Sequence, residues 1–375
     1  MIKGKQKLTK EKQLELYLKE IAPRLSSGMK QYEIAEELDL SRQQVERAIK
    51  ASSSITDELV RQGIDPDQLH SGWVKVEGMS LYFQNDNQDS YNYEETLKAL
   101  KKHAPKYPKI KRRKIKDGHL LIIDPADIHI GKLASAVETN EEYNSKIAIK
   151  RVKEGVEDIL SKVSGINIDR IMLVIGNDVL HTDTVTRTTT RGTPQDTDGM
   201  WYEAFKLARE MYVDLIERLV TEADVDVVYN ISNHDTILGF TLADALYCWF
   251  SKNKNVTFDI TPNDRKYYQY GKSMIMTSHG SGAKEKDIPH LAATEQPKMW
   301  ADTERRYAYL HHVHHYKKIW VRGGEDSAGF TIEYMRSPSG SDSWHHTNGF
   351  KSPMAVEGFV HSKDIGQILK LTSYF

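Results

Sequence analysis

The chain of 375 residues has a single cysteine, Cys248, so no intramolecular disulfide can form, and a reducing compartment fits. Long apolar runs are missing as well. Leu120 to Ile123 and Ile171 to Ile175 are among the longest, far short of the roughly 20 residues a membrane helix needs, so no membrane partner is expected. Net charge is nearly absent: 52 Lys and Arg stand against 53 Asp and Glu, a formal balance of −1. Any attraction to nucleic acid must therefore be local. The opening MIKGKQKLTKEKQLELYLKE is charged throughout and has no apolar core of a secretory signal. A cytoplasmic protein is expected. No internal repeat or long low-complexity segment is visible.

What the chain does have is apolar mass and histidine. Hydrophobic residues make up 39% and charged residues 28%, enough for a sizeable core in a globular chain of two to three domains. Of 15 histidines, nine fall between His129 and His315. Histidine is a common metal ligand and proton carrier, so the clump directs attention to a metal site.

Residues 1–70 read as a helical domain. Leu14, Tyr17, Leu18, Ile21 and Leu25 recur at helical spacing, and Ser26-Ser27-Gly28 breaks the pattern. From Met29 to Lys50, Ile34, Leu38, Leu40, Val45 and Ala48 are spaced as the core of a helix-turn-helix. Ala35 is small where the helices would cross, and Ser41 would cap the second helix. That helix would present Arg42, Gln43, Gln44 and Arg47 outward, residue types suited to guanine and adenine edges. Asp39 stands where such a turn commonly has glycine. The other reading is a small helical bundle that only packs.

Residues 71–118 read as a connecting segment. Trp73 to Phe83 suggests a hairpin and Gln84 to Asn92 a polar loop. Lys101 to Lys116 then carries nine basic residues and no acid. It reads either as a solvated linker or as a contact to phosphate backbone.

From His119 to the C-terminus strands alternate with helices, the pattern of an α/β domain. Strands are expected at His119 to Ile123, Arg170 to Ile175, Val225 to Ile231, Val256 to Ile260 and Ser273 to Ser278, with Thr331 to Met335 and Ala355 to Val360 following. One amphipathic helix carries Ile149, Val152, Val156, Ile159 and Val163, and the next Trp201, Phe205, Ala208, Tyr212, Leu215 and Leu219. In such sheets ligands collect beyond the carboxyl ends of the strands. The residues found there are Asp127-Ile128-His129, Gly176-Asn177-Asp178, Ser232-Asn233-His234-Asp235, His279-Gly280 and His311-His312-Val313-His314-His315. Oxygen and imidazole donors of this kind suit manganese, iron or zinc.

This ordered set resembles the calcineurin-like metallophosphoesterase superfamily, whose pattern is D-x-H, G-D-x-x-D, G-N-H-D, a single H and G-H-x-H. It is most similar to a phage and prophage branch, through Gly192-Thr193-Pro194-Gln195-Asp196 and Arg265-Lys266-Tyr267-Tyr268 as well as Gly176-Asn177-Asp178. The resemblance implies a four-layer αββα sandwich over 119–375, preceded by the helix-turn-helix domain, in a phage-encoded protein of the bacterial host cytoplasm. It implies two divalent cations, manganese first, with iron or zinc as alternatives. Asp127, His129 and His314 would hold one, Asn233, His279 and His312 the other, and Asp178 would bridge them. An activated water would attack phosphorus in line, His234 would protonate the leaving oxygen, and Asp235 could orient it. His181 stands where the family has its second aspartate, Ser232 and His311 where it has glycine. The last two place side chains where tight turns are expected. His181 and Asp183 read as ligand-orienting residues or as bystanders. Arg187 and Arg191, in the threonine-rich stretch Thr186 to Asp198, could hold a substrate phosphate. His345 and His346 beside Trp344 carry no assignment.

The leading expectation is a phosphodiester hydrolase acting on DNA. A phosphatase or phosphodiesterase for nucleotides or phosphoproteins, and an inactive DNA-binding or assembly protein, are the alternatives.

Overall fold

In this computed structural model the described residues are 16–21, 24–25, 27–50, 71–76, 79–84, 93–113, 115–314, 317–321, 329–340 and 352–375. The chain divides into two compact units, Met1–Tyr93 and Glu94–Phe375. Outside the described residues lie the predicted helical positions 1–15 and 51–70, the polar loop at 85–92, Lys114, His315, and Trp344 with His345 and His346.

In the first unit a π-helical turn, Tyr17–Ile21, precedes two helices, Gln31–Glu37 and 42–50. Ile21, Ile34, Ala35, Val45 and Ala48 are buried together, with Leu38 and Leu40 packed against them. The turn passes through Asp39 at φ +53°. That is the left-handed region glycine enters freely and aspartate tolerates, so the turn holds without glycine. Strands β1 (Ser71–Val76) and β2 (Met79–Gln84) pair as the expected antiparallel hairpin.

The second unit is a mixed α/β body with two sheets. The six-stranded sheet has the order β13-β12-β3-β4-β5-β6: Gly366–Tyr374, Ala355–Ser362, His119–Asp124, Ile168–Gly176, Asp224–Asn230 and Val256–Asp259. β3 to β6 are parallel neighbours. The five-stranded sheet has the order β10-β11-β9-β8-β7: Lys317–Val321, Phe330–Tyr334, Arg305–Leu310, Ser273–Ser278 and Lys266–Tyr270.

Alternation explains the layering. On β3, Leu121 and Ile123 face the helices Ser145–Lys162, Trp201–Glu222 and Thr236–Trp249, while Leu120 and Ile122 face the second sheet. Covering both faces is what makes these strands read as unbroken apolar runs. Between the sheets lie Met172, Val174, Ile275, Tyr309 and Phe359. Beyond the second sheet, Met274, Met276, Ala308 and Leu310 pack on Ile288 and Ala292 of the helix Ile288–Glu295. Two sheets thus lie face to face, with helices packed on their outer faces. Strands β7, β9, β10 and β13 and the helix 236–249 have no counterpart in the sequence reading. The helix is apolar nearly all round and so shows no stripe.

The basic tract does not run free in solvent. Lys101, in the helix Tyr93–His103, donates to the Tyr247 hydroxyl at 3.0 Å and lies over its ring. Ile110 exchanges backbone hydrogen bonds with the Asn255 side chain at 2.9 and 3.0 Å. Arg112 pairs with Asp224 at 2.9 Å and donates to the carbonyls of Val220 and Glu222, which close the 201–222 helix. Asp224 opens β5 and Asn255 precedes β6, so this segment seals the amino ends of the parallel strands. Lys102, Lys106, Lys109, Lys111, Arg113 and Lys116 are exposed along it.

Candidate metal centre

The candidate site forms at the other end of the same strands. Leaving β3 and β4, the chain runs as two loops joined by main-chain hydrogen bonds. Asp127 N–H donates to the Asn177 carbonyl (2.8 Å), His129 N–H to Asp178 (2.9 Å), Ile130 N–H to Val179 (2.8 Å), and His181 N–H back to Ile130 (3.0 Å). The loops reach this register only through unusual backbone. Asp127, His129, Asn177, Asp178, His312 and His314 all have φ between +50° and +71°. Left-handed non-glycine residues cost of order 1–3 kcal/mol each, and such strain gathers at functional sites.

The side chains so placed form two neighbouring donor groups, Asp127 with His129 and His314, and Asp178 with His279 and His312. In the first, His129 Nε2 stands 3.3 Å from His314 Nε2, and His314 Nε2 3.5 Å from Asp127 Oδ1. In the second, His279 Nε2 lies 3.1 Å from Asp178 Oδ2 and 2.7 Å from Asn233 Oδ1. Asn233 therefore belongs beside the second group. The two groups touch: His312 N–H donates to Asp127 Oδ2 at 3.1 Å. All seven residues singled out as ligands converge here.

The electrostatics match ligation. Burial alone would raise the pKa of Asp127 and Asp178, but His314 and His279 outweigh it for the first, and His279 with the His234 N–H for the second; both end below the usual carboxylate range. Burial and then the surrounding imidazoles push His129 well down, and burial with His279 lowers His312. Burial opposes a charge on His279, yet Asp178 prevails and lifts it to about 9. Ionised carboxylates and neutral imidazoles are the forms that bind cations, and a proton on His279 is what a cation would displace. Asp127 Oδ1 is buried without a hydrogen-bond partner. An orphaned carboxylate oxygen between imidazole nitrogens, in a mixed O/N donor set, fits a divalent cation.

His234 and Asp235 occupy different surroundings. His234 Nδ1 donates to the His181 carbonyl at 3.0 Å, and its ring centroid is 4.7 Å from that of His129. The expectation that Asp235 orients His234 is corrected: Asp235 turns into the scaffold. Its carboxylate accepts from Leu180 N–H (2.8 Å) and from the Ser232 hydroxyl (2.6 Å). Burial, then the charge of Asp178, lifts it to about 7. Ser232 Oγ also accepts from Asp178 N–H at 2.8 Å. The side chain at 232 thus ties the Asp178 loop to Asp235, a role glycine could not fill.

The expected turn at His311 is absent too. His311 does not have positive φ; its neighbour His312 does. The His311 ring is fully buried, 3.0 Å from Asp124 Oδ2 and 2.9 Å from the Ser278 carbonyl. Burial disfavours its charge, but Asp124 raises its pKa overall. Asp183 caps the 236–249 helix, accepting from Ile237 and Leu238 N–H and from Thr190 Oγ1. Lys132, 2% exposed, reaches Ser339 Oγ and the Gly340 carbonyl, and Ser337 donates to the Asp127 carbonyl at 2.6 Å. The sequence offered no signal for these last two contacts.

The threonine-rich stretch is pinned rather than free. Leu133 N–H donates to the Asp196 carbonyl, Asp198 N–H to Gly131, and Thr236 N–H to Thr190 Oγ1. Arg187 and Arg191 are exposed on it, and Arg187 Nη2 lies 3.3 Å from Met200 Sδ. In the first unit, Arg42, Gln43 and Arg47 are exposed. Gln44 is half-buried at the helix start: its Oε1 accepts from Ser41 N–H and Oγ, and its N–H donates to Ser41 Oγ. This Ser-x-x-Gln capping box is visible in the sequence.

No family model matches the sequence, and no curated protein matches it. Among solved structures, the chain is similar to a single-substitution variant of Vps29 from Entamoeba histolytica. Identity is 10%, the match covers 68% of this chain and 99% of that one, and the TM-score is 0.27. Two folds are not equated at that score, so the chemistry rests on the side chains above.

Proposed function

We propose that the second unit is a two-metal phosphodiester hydrolase acting on nucleic acid. The observation that carries this reading is the convergence of Asp127, His129 and His314 with Asp178, His279, His312 and Asn233 in two donor groups that touch. Asp127, His129 and His314 would hold one cation, Asn233, His279 and His312 the other, with Asp178 shared. Manganese suits the donors, and iron or zinc would also. Cations bound there supply a water of lowered pKa and neutralise charge on the phosphoryl group.

The chain's own residues do the rest. The His181 carbonyl fixes Nδ1 of His234 as a donor, so Nε2 is left to protonate a leaving oxygen. Arg187 and Arg191 on the rim would bind flanking phosphates. In the first unit, the helices 31–37 and 42–50 would serve as a helix-turn-helix, with Arg42, Gln43 and Arg47 meeting DNA. The phage origin and cytoplasmic site implied by the resemblance fit this role. Incubation with manganese and single- or double-stranded DNA tests it. Cleavage no greater than that of Asp178→Asn would overturn it.

A second reading, hydrolysis of small phosphoesters, is favoured by one observation: the described residues of the basic tract lie against the opposite ends of the strands, away from the donor groups. Aryl monoester turnover without DNA binding would select it.

A further inference from the structure

We propose that His181 is a positioning residue for the ligand His129: the His129 Nδ1–H donates to His181 Nδ1, which turns His129 Nε2 to the cation. The proposal rests on the two-cation reading and adds to it a residue that the reading does not use. His129 has one ring nitrogen at each front. Nε2 faces His314 Nε2 at 3.3 Å, and Nδ1 faces His181 Nδ1 at the same distance. A neutral imidazole carries one N–H. If Nε2 binds a cation, the proton is on Nδ1, and its partner is the bare Nδ1 of His181. Metal-binding histidines are usually held this way by a carboxylate, carbonyl or water; here an imidazole does it.

The rest of residue 181 fits the role. Its ring is buried, 4% exposed, edge-on to His129 at 5.2 Å and stacked on His234 at 5.5 Å. It is packed on two sides and so holds its orientation. Its carbonyl, meanwhile, tethers His234. One residue thus orients the ligand with its side chain and the proposed acid with its backbone, and a substitution reaches only the first. His129, His181 and His234 also form a possible third donor group. His129 would then have to ligate through both nitrogens at once, which favours positioning over a third ion.

The test is manganese and cobalt binding to the full chain by calorimetry and equilibrium dialysis. Asparagine places its amide oxygen where Nδ1 stood; glutamine reaches to the position of Nε2. Expected are two cations in the wild type. In His181→Gln and His181→Phe one of the two steps should weaken by about 10–100-fold, the scale for lost ligand orientation, and the other should be unchanged. His181→Asn should recover most of the loss. Unchanged affinity in the glutamine and phenylalanine variants, asparagine no better than glutamine, both steps weakening equally, or a third wild-type ion lost on substitution would each overturn the proposal. Should the wild type take up two cations and the variants match it, only the positioning role fails. Should the wild type take up none, the two-cation reading falls and this one with it.

Discussion

At the carboxyl ends of β3, β4 and β5, carboxylates and imidazoles crowd together on left-handed backbone, and a buried oxygen of Asp127 has no hydrogen-bond partner. At the amino ends of β5 and β6, a segment far richer in charge is settled: Arg112 is paired with Asp224 and two carbonyls, and Ile110 is bonded to Asn255. β5 spans seven residues, so the two ends are roughly 20 Å apart at about 3.3 Å per residue. Charge density does not mark the chemically poised end. What sets that end apart is the clustering of six left-handed residues around an unpartnered carboxylate oxygen and several imidazoles, strain of the kind that gathers at functional sites.

The contrast can be broken in order of effect. Asp178→Asn should abolish metal uptake and bring DNA cleavage to the level of a blank, read by elemental analysis and a nuclease assay. Retained metal would show that the strained end is not a cation site. His234→Ala should keep both cations and lose about 10²–10⁴-fold in turnover, the range for a general acid; equal loss of metal would make it a ligand.

Away from both ends, between the sheets, His361 Nε2 lies 2.7 Å from the Tyr309 hydroxyl, and burial lowers its pKa to about 3, against an opposing pull from Glu333. The unfolded chain takes up that proton near pH 6.5 and the folded chain near 3. Its contribution is therefore full above 6.5 and is lost as pH falls towards 3, on the order of 5 kcal/mol in all. His361→Gln keeps a neutral hydrogen-bonding partner for Tyr309 and should flatten this part of the acid limb in urea unfolding. Arg112→Ala should cost about 1–3 kcal/mol, because Asp224 and two helix-end carbonyls lose a charged donor. Lys109→Ala and Lys111→Ala, at exposed positions of the same tract, should stay within about 0.5 kcal/mol. Equal losses would mean that the tract is not seated by Arg112.

The sequence was most legible where burial on two faces forces a pattern. β3, β4 and β5 read as apolar runs because helices lie on one side and a sheet on the other. The acid, amide and imidazole residues just beyond them stood out against that background. Residues whose chemistry is ordinary but whose partners are distant in sequence were not legible. His311 looks like its neighbours His312 and His314, and only the fold shows that it pairs with Asp124. Asp235 follows His234, yet faces Leu180 and Ser232. Strands β7 and β9 alternate poorly in sequence because their burial does not alternate: in β7 only the two ends are buried, and in β9 only the last three residues.

The loops after β3 and β4 are held to each other by a ladder of peptide hydrogen bonds, to which the side chains add the contact of His129 with His181. The cavity is thus cast in main chain, and its lettering is separable from its mould. Exchanging the imidazole at 314 for a carboxylate would change which ion the proposed site prefers while leaving those peptide hydrogen bonds in place. A lineage built on this frame could move from one metal to another by single substitutions, without refashioning the loops that carry them.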